Sequence, residues 1–219
     1  WRQYPLQQKL AQRLPTNWIV RVHNDASAFA AAERGASGEG ETDDLLLVLL
    51  SEGIGGAVVR DGRVAGGGHG YAGEIGHTIV TAGGRTDTFE MLAGVAHFES
   101  IFPPDQTVGH AAAATLARQQ DPHVGKLLEG WAEALAIGLA NAVHLLDPRQ
   151  IILGGPLSPL FSAVERQVVA RLDQYLIYGF ARPPIRIATS GSQGSAIGAA
   201  AIVQETIFDL PLRDEGARF

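Results

Sequence analysis

Cysteine is absent from the 219 residues, so disulfides, thiolate–zinc sites and cysteine nucleophiles are excluded at the outset. Long apolar runs are missing too. LLLVLL at 45–50 falls far short of the roughly 20 residues that a membrane-spanning helix needs. No basic-then-apolar signal segment opens the chain, and the expected address is the cytoplasm. Charge of either sign is sparse: 17 Lys and Arg against 23 Asp and Glu leave a formal net charge of −6. That balance offers little attraction to nucleic-acid phosphates or anionic lipid, so neither is an expected partner of this stretch by itself. Aromatics are few at 7%, but hydrophobic residues reach 46%, the balance of a folded domain and not of a disordered chain. The chain starts at Trp1 without a Met, as a fragment or a processed product would.

What is present alternates between short aliphatic runs and longer amphipathic stretches, an α/β pattern over one domain or two closely packed lobes. PLQQKLAQRL (5–14) spaces its leucines as a helix ended by Pro15, and WIVRVH (18–23) reads as a strand. NDASAFAAAERG (24–35) is a capped, Ala-rich helix that stops at Gly35. After the polar stretch 36–44, LLLVLL (45–50) reads as a fully buried strand. SEGIGG (51–56) turns it into AVVRDGRVAG (57–66), where Asp61-Gly62 predicts a hairpin. HTIVT (77–81) adds a short strand and Gly83-Gly84 another turn. From about Asp87 the pattern is helical over 88–102, 108–120 and 124–146. Strands at 150–155 and 185–190 and helices at 157–176 and 195–208 complete the chain, with no internal repeat.

Four features carry chemistry. Ser51, Gly53 and Gly55 lie in a strand–turn–strand where backbone N–H groups can approach a phosphate, although the same glycines serve equally as a tight hairpin connection. Glu52 places an anion in that turn, which opposes a triphosphate. Gly154-Gly155, at the end of a strand and the start of a helix, either hold a nucleotide or turn a corner. Asn24-Asp25 sits at the carboxyl end of a predicted strand, where ligands of α/β sheets gather. There Asp25 is placed to take a proton from a substrate hydroxyl, or one of the pair merely caps the helix. Glu74, His77 and Glu90 crowd one Gly-flanked stretch, AGEIGHTIVTAGGRTDTFE (72–90), open to a metal, acid–base or hydroxyl-binding role. His69 lies in the Gly-rich loop beside them. The chain holds no GxxxxGK[ST] and no GxGxxG after a strand, so P-loop and dinucleotide sites are not expected.

Taken in order, VRVHNDASAFAAAERG, LLLVLLSEGIGGAVVRDGRVAGGGHGYAGEIGHTIV, TFEMLAG, IILGGPLS and SQGSAIGAAAI resemble the ROK family of sugar kinases and sugar-responsive transcriptional regulators. The resemblance runs from about Trp18 to Ile202, and DGRVAGGGHGYAGEIGH is its most specific element. It implies an actin-like, ribonuclease-H-like ATPase fold of two α/β lobes, with sugar and nucleotide in the cleft between them. It also implies that Asp25 corresponds to the family's catalytic base, and that Asn24, Glu74, His77 and Glu90 hold sugar hydroxyls. Dimers or tetramers are expected on the same ground.

Three departures qualify the resemblance. The family's zinc-binding cysteines have no counterpart; Thr88 stands where the last would fall, so no zinc and no other metal is expected, and no cofactor. Glu52 stands where the kinases usually carry Thr. The match starts inside the first lobe, which is expected to be incomplete, with any winged helix-turn-helix for DNA lying upstream. On these grounds residues 1–219 are expected to form a sugar-binding and oligomerisation domain of a regulator, a repressor that binds a sugar or sugar derivative without phosphorylating it. The alternative is an ATP-dependent hexose or N-acetylhexosamine kinase with Asp25 as general base and ATP with magnesium as its phosphoryl source.

Overall fold

Leu45–Leu50 is apolar at every position and buried at every position, which a strand sustains only when both faces of its sheet are covered. In the computed structural model, which describes residues 4–36, 44–103 and 107–208, that strand (β1) is the centre of a five-stranded sheet. β2 (Ile54–Arg60) and β3 (Arg63–Val64) continue it as antiparallel neighbours on one side. β6 (Gln150–Gly154) and β7 (Ile185–Ile187) lie parallel to β1 on the other, giving the order β3-β2-β1-β6-β7. β4 (Ile79–Ala82) and β5 (Arg85–Thr88) form a separate antiparallel pair. The Asp61-Gly62 turn between β2 and β3 has φ of 48° and 68°, the left-handed pair that a two-residue hairpin uses.

The helices are α1 (Leu6–Ala11), α2 (Asp25–Ala36), α3 (Phe89–Ala93), α4 (His110–Leu116), α5 (Pro122–Leu146), α6 (Phe161–Tyr175) and α7 (Gly194–Phe208). Alternation along β1 divides the core. Leu46, Val48 and Leu50 join the large cluster with Phe89, Trp131, Leu135 and Leu139, whereas Leu45, Leu47 and Leu49 meet Ala26, Phe29 and Ala30 of α2. α5 begins cleanly because Asp121 accepts from the His123 and Val124 amides at 2.7 and 3.4 Å and Pro122 needs no partner for an amide. α7 lies directly on α2: a Cβ at Gly198 would overlap the Ala28 carbonyl, so this crossing requires glycine. This mixed sheet with helices on both faces is the ribonuclease-H-like arrangement that the family resemblance implies.

Two expectations change. Residues 18–23 form no strand, because none of the described strands runs beside them, and Trp18 and Ile19 are exposed. The helix expected over 88–102 is only α3, followed by a 3-10 turn at Val95–Phe98. Gly94 stops it by returning its amide to the Glu90 carbonyl, and Val95 then donates to the Ser51 carbonyl at 3.1 Å. Asp87 itself belongs to β5. Most of the polar stretch 36–44 lies outside the described residues.

Candidate functional site

Glu90 is the best anchored of the polar residues expected at the site. Its neighbour Phe89 is fully buried and lies against Gly138 of α5, where a side chain would collide with the ring. The Phe89 amide donates to the Thr78 carbonyl at 2.8 Å, and the Trp131 indole N–H donates to the Ala93 carbonyl at 2.8 Å. α3 is therefore pinned to both β4 and α5. Glu74 precedes and His77 ends a 3-10 turn, Ile75–His77, whose Ile75 and Gly76 are buried against β2 while Thr78 closes the turn onto the Ile75 carbonyl at 2.6 Å.

These supports bring the three side chains together. His77 Nδ1 is 3.2 Å from Glu90 Oε1, and its Nε2 is 3.8 Å from Glu74 Oε2. The side chains are 66%, 28% and 42% exposed for His77, Glu90 and Glu74, so polar atoms remain free to meet a ligand. Carboxylates of this kind accept from paired hydroxyls, and imidazole can donate or accept. The same cluster touches the β1–β2 turn: a Cβ on Gly53 would come within 2.8 Å of Glu90 Oε2. A side chain at this position of the turn would have to displace the end of the Glu90 side chain.

Asn24 and Asp25 divide the two roles read from the sequence. Asn24 caps α2, accepting from the Ser27 amide at 3.1 Å through its side chain and from the Ala28 amide through its carbonyl. Asp25 is exposed; Oδ1 accepts from the Ala26 amide at 2.8 Å, and its other oxygen has no partner among the described residues. Ala26 and Gly55 approach each other, while Gly56 faces the Gly73–Ile75 segment. The start of α2 and the Glu74–His77–Glu90 segment therefore both pack against the first residues of β2, and no hydrogen bond joins Asp25 to the cluster among the described residues.

The glycine turns gather at the carboxyl ends of the parallel strands, where open α/β sheets bind ligands. Ser51 is half-buried and spends its hydroxyl on the Gly53 carbonyl at 3.3 Å, while Glu52 is exposed. Gly154 and Gly155 are both buried, the first against Phe29 and the second over the Leu50 carbonyl, and Leu157 donates to that carbonyl at 3.1 Å. His69 is exposed on its loop.

Zinc finds no matching donor set here. His77 faces two carboxylates, the Thr88 hydroxyl is buried without a partner among the described residues, and those residues contain no metal-holding group of three or more His, Cys, Asp or Glu. The β4–β5 hairpin is held instead by polar contacts: Thr81 to Thr86 at 2.9 Å, Arg85 to Asp87 at 2.9 Å, and the Gly83 amide to Glu133 at 3.2 Å. The Thr88 amide and the Arg85 guanidinium hold the Asp87 carboxyl below its ordinary range. Burial pushes the nearby His97 imidazole down, against its bond to the Leu127 carbonyl.

Glu33 was not singled out by the sequence. It is fully buried on α2 and ion-paired with Arg186 at 2.6 Å. It also accepts from the Thr189 amide at 2.9 Å, the Ser190 amide at 2.8 Å and the Ser190 hydroxyl at 2.7 Å. Ala26, Phe29, Ala30 and Glu33 share helical spacing, so a carboxylate on an otherwise apolar stripe was the available signal.

The pattern that defines the ROK family matches residues 1–206. An N-acetyl-D-glucosamine kinase from Pasteurella multocida is 31% identical over 90% of this chain and 70% of its own length. The crystal structure of a ROK family glucokinase from Streptomyces griseus, in complex with glucose and AMPPNP, superposes with a TM-score of 0.74 at 26% identity, over 92% of this chain and 73% of that one. A ROK family transcriptional regulator, a homolog of the E. coli MLC protein, shares the fold at 22% identity and a TM-score of 0.72, over 91% of this chain and 55% of the regulator. Among the described residues no helix is long and apolar enough to cross a membrane. With the family pattern matched along nearly its whole length and an actin-like ATPase fold beneath it, the chain belongs to the ROK family.

Proposed function

We propose that residues 1–219 are the sugar-binding and self-associating part of a ROK sugar kinase, which transfers a phosphoryl group from ATP to a hydroxyl of a hexose or N-acetylhexosamine. The observation that carries this is the contact between the hydroxyl-binding cluster and the β1–β2 turn: Glu90 reaches His77 on one side and Gly53 on the other. A sugar held by Asn24, Glu74, His77 and Glu90 would sit beside a turn whose backbone suits phosphate. The exposed Asp25 carboxylate, at the start of α2, takes the proton of the attacking hydroxyl. The oxygen–phosphorus bond to the sugar forms as the bond to ADP breaks, and most of the remaining work is positioning. ATP, with its magnesium, is a substrate that Gly53, Gly154 and Gly155 would adjoin. The named kinase relatives lend this reading more support than they lend the regulator expected from Glu52 and the absent cysteines.

One observation favours that second reading. Glu52 is exposed in the turn and the Ser51 hydroxyl is committed to Gly53, so the turn offers an anion and no free hydroxyl. A regulator would bind the sugar without transfer, and DNA only through a further domain. Incubating the protein with ATP, magnesium and glucose, N-acetylglucosamine or N-acetylmannosamine, followed by ³¹P NMR, separates the two. A sugar phosphate is the expected product. A sugar that binds by calorimetry yet acquires no phosphate leaves the regulator.

A further inference from the structure

We infer that Glu33 is a positioning residue that sets the axial register of α2 against α7 and thereby places Asp25; the inference rests on the kinase reading for its catalytic consequence. Its starting point is a carboxylate with no exposed surface, a costly group to bury unless every lone pair is used. Here they are used. Arg186 of β7 pairs with Oε2 at 2.6 Å, and Oε1 takes the Thr189 amide, the Ser190 amide and the Ser190 hydroxyl. All of these partners lie on β7 or on the turn that leads from it into α7.

The other end of α2 carries a second contact with the start of α7. Ser195, in the first turn of α7, donates its hydroxyl to the Asp25 carbonyl at 3.1 Å. Along α2, between Asp25 and Glu33, the contact with α7 runs through its glycines: Gly194 lies against the Phe29 ring and Gly198 against the Ala28 backbone. Small residues permit close approach but resist sliding only weakly, since they interlock less than long side chains do. The charged node at Glu33 supplies the directional constraint that this contact does not. A shift of the β7–α7 turn relative to α2 would move Ser195 along the helix, and the backbone at Asp25 with it. Misplacing a general base by about 1 Å is enough to slow turnover by orders of magnitude.

The test uses the intact protein and two variants, Glu33→Gln and the milder Ser190→Ala, which removes one donor and leaves the charge in place. Hydrogen exchange reads the α2 amides from Ser27 to Phe29 against those of β1. Steady-state kinetics, in parallel, give kcat and the sugar KM. Expected in Glu33→Gln is exchange at the start of α2 faster by about tenfold with β1 unchanged, together with a kcat lower by about tenfold at a sugar KM within about twofold; Ser190→Ala shifts both in the same direction by less. If only residues 189–191 exchange faster while the start of α2 and kcat stay as in the wild type, Glu33 is a local brace and the inference is overturned. A wild-type protein that binds sugar without turnover removes the kinase reading, and the exchange arm then decides the register claim by itself.

Discussion

Asp25 and Glu33 share one helix and have opposite fates: the first exposed, with one oxygen unpartnered among the described residues, the second without exposed surface and bonded on both oxygens. Chemistry at a hydroxyl needs the first kind of carboxylate, and architecture uses the second. Glu90 lies between these extremes, fixed by its helix but 28% exposed beside His77. With Glu90 as a sugar ligand, as proposed, Glu90→Ala would remove charge-assisted hydrogen bonds, and calorimetry should show affinity falling by about tenfold or more, as the loss of roughly 1.5–3 kcal/mol implies. An unchanged affinity would take Glu90 out of the site. Replacing Glu52 with Thr should tighten nucleotide binding, because it removes an anion from the turn and adds a hydroxyl; titration with a non-hydrolysable ATP analogue checks this.

β1 and the α2–α7 pair pack closely beside the site. Leu47 is completely buried between β1 and α2, and Leu47→Ala should cost about 2–5 kcal/mol in urea unfolding. On α7, Gly198→Leu drives a side chain into the α2 backbone and should lower the melting temperature clearly, whereas Ala199→Leu, at an exposed position, should leave it nearly unchanged. The elements most readable in the sequence were those with an unbroken local signal: the apolar run of β1, the Asp-Gly hairpin, and the capped start of α2. Residues 18–23 carried a strand pattern, but a strand exists only with a neighbour, which a local pattern cannot specify. The break at Gly94 was hidden for a similar reason, since the groups that end α3 include the distant Ser51 carbonyl. The motif brought Glu74, His77 and Glu90 into one cluster, but the Glu33 node joins α2 to β7, and only the fold brings those together.

The molecule as a whole should lose stability in acid through Glu33. Burial raises that carboxyl, but the Ser190 hydroxyl, the Arg186 guanidinium and the Ser190 amide outweigh it and leave the group below its ordinary range. Between the depressed folded value and the unfolded value of about 4.3, the unfolded chain binds more protons, so stability is full above that window and falls as pH drops through it. Urea unfolding at pH 6 and at pH 3 should show the decline, and Glu33→Gln should flatten it. The sheet, the hairpin and the helix pair together present the candidate sugar residues and the glycine turns at one end of the fold, where the proposed phosphoryl transfer would take place. The most direct measurement is a coupled ATP-consumption assay on the wild type and on Asp25→Asn across a panel of hexoses and N-acetylhexosamines. Sugar-dependent turnover that falls by about 10²–10⁴-fold in Asp25→Asn, with sugar binding retained, is the predicted result. Turnover that persists in the variant, or a wild type that binds sugar and consumes no ATP, would show that Asp25 is not a catalytic base here.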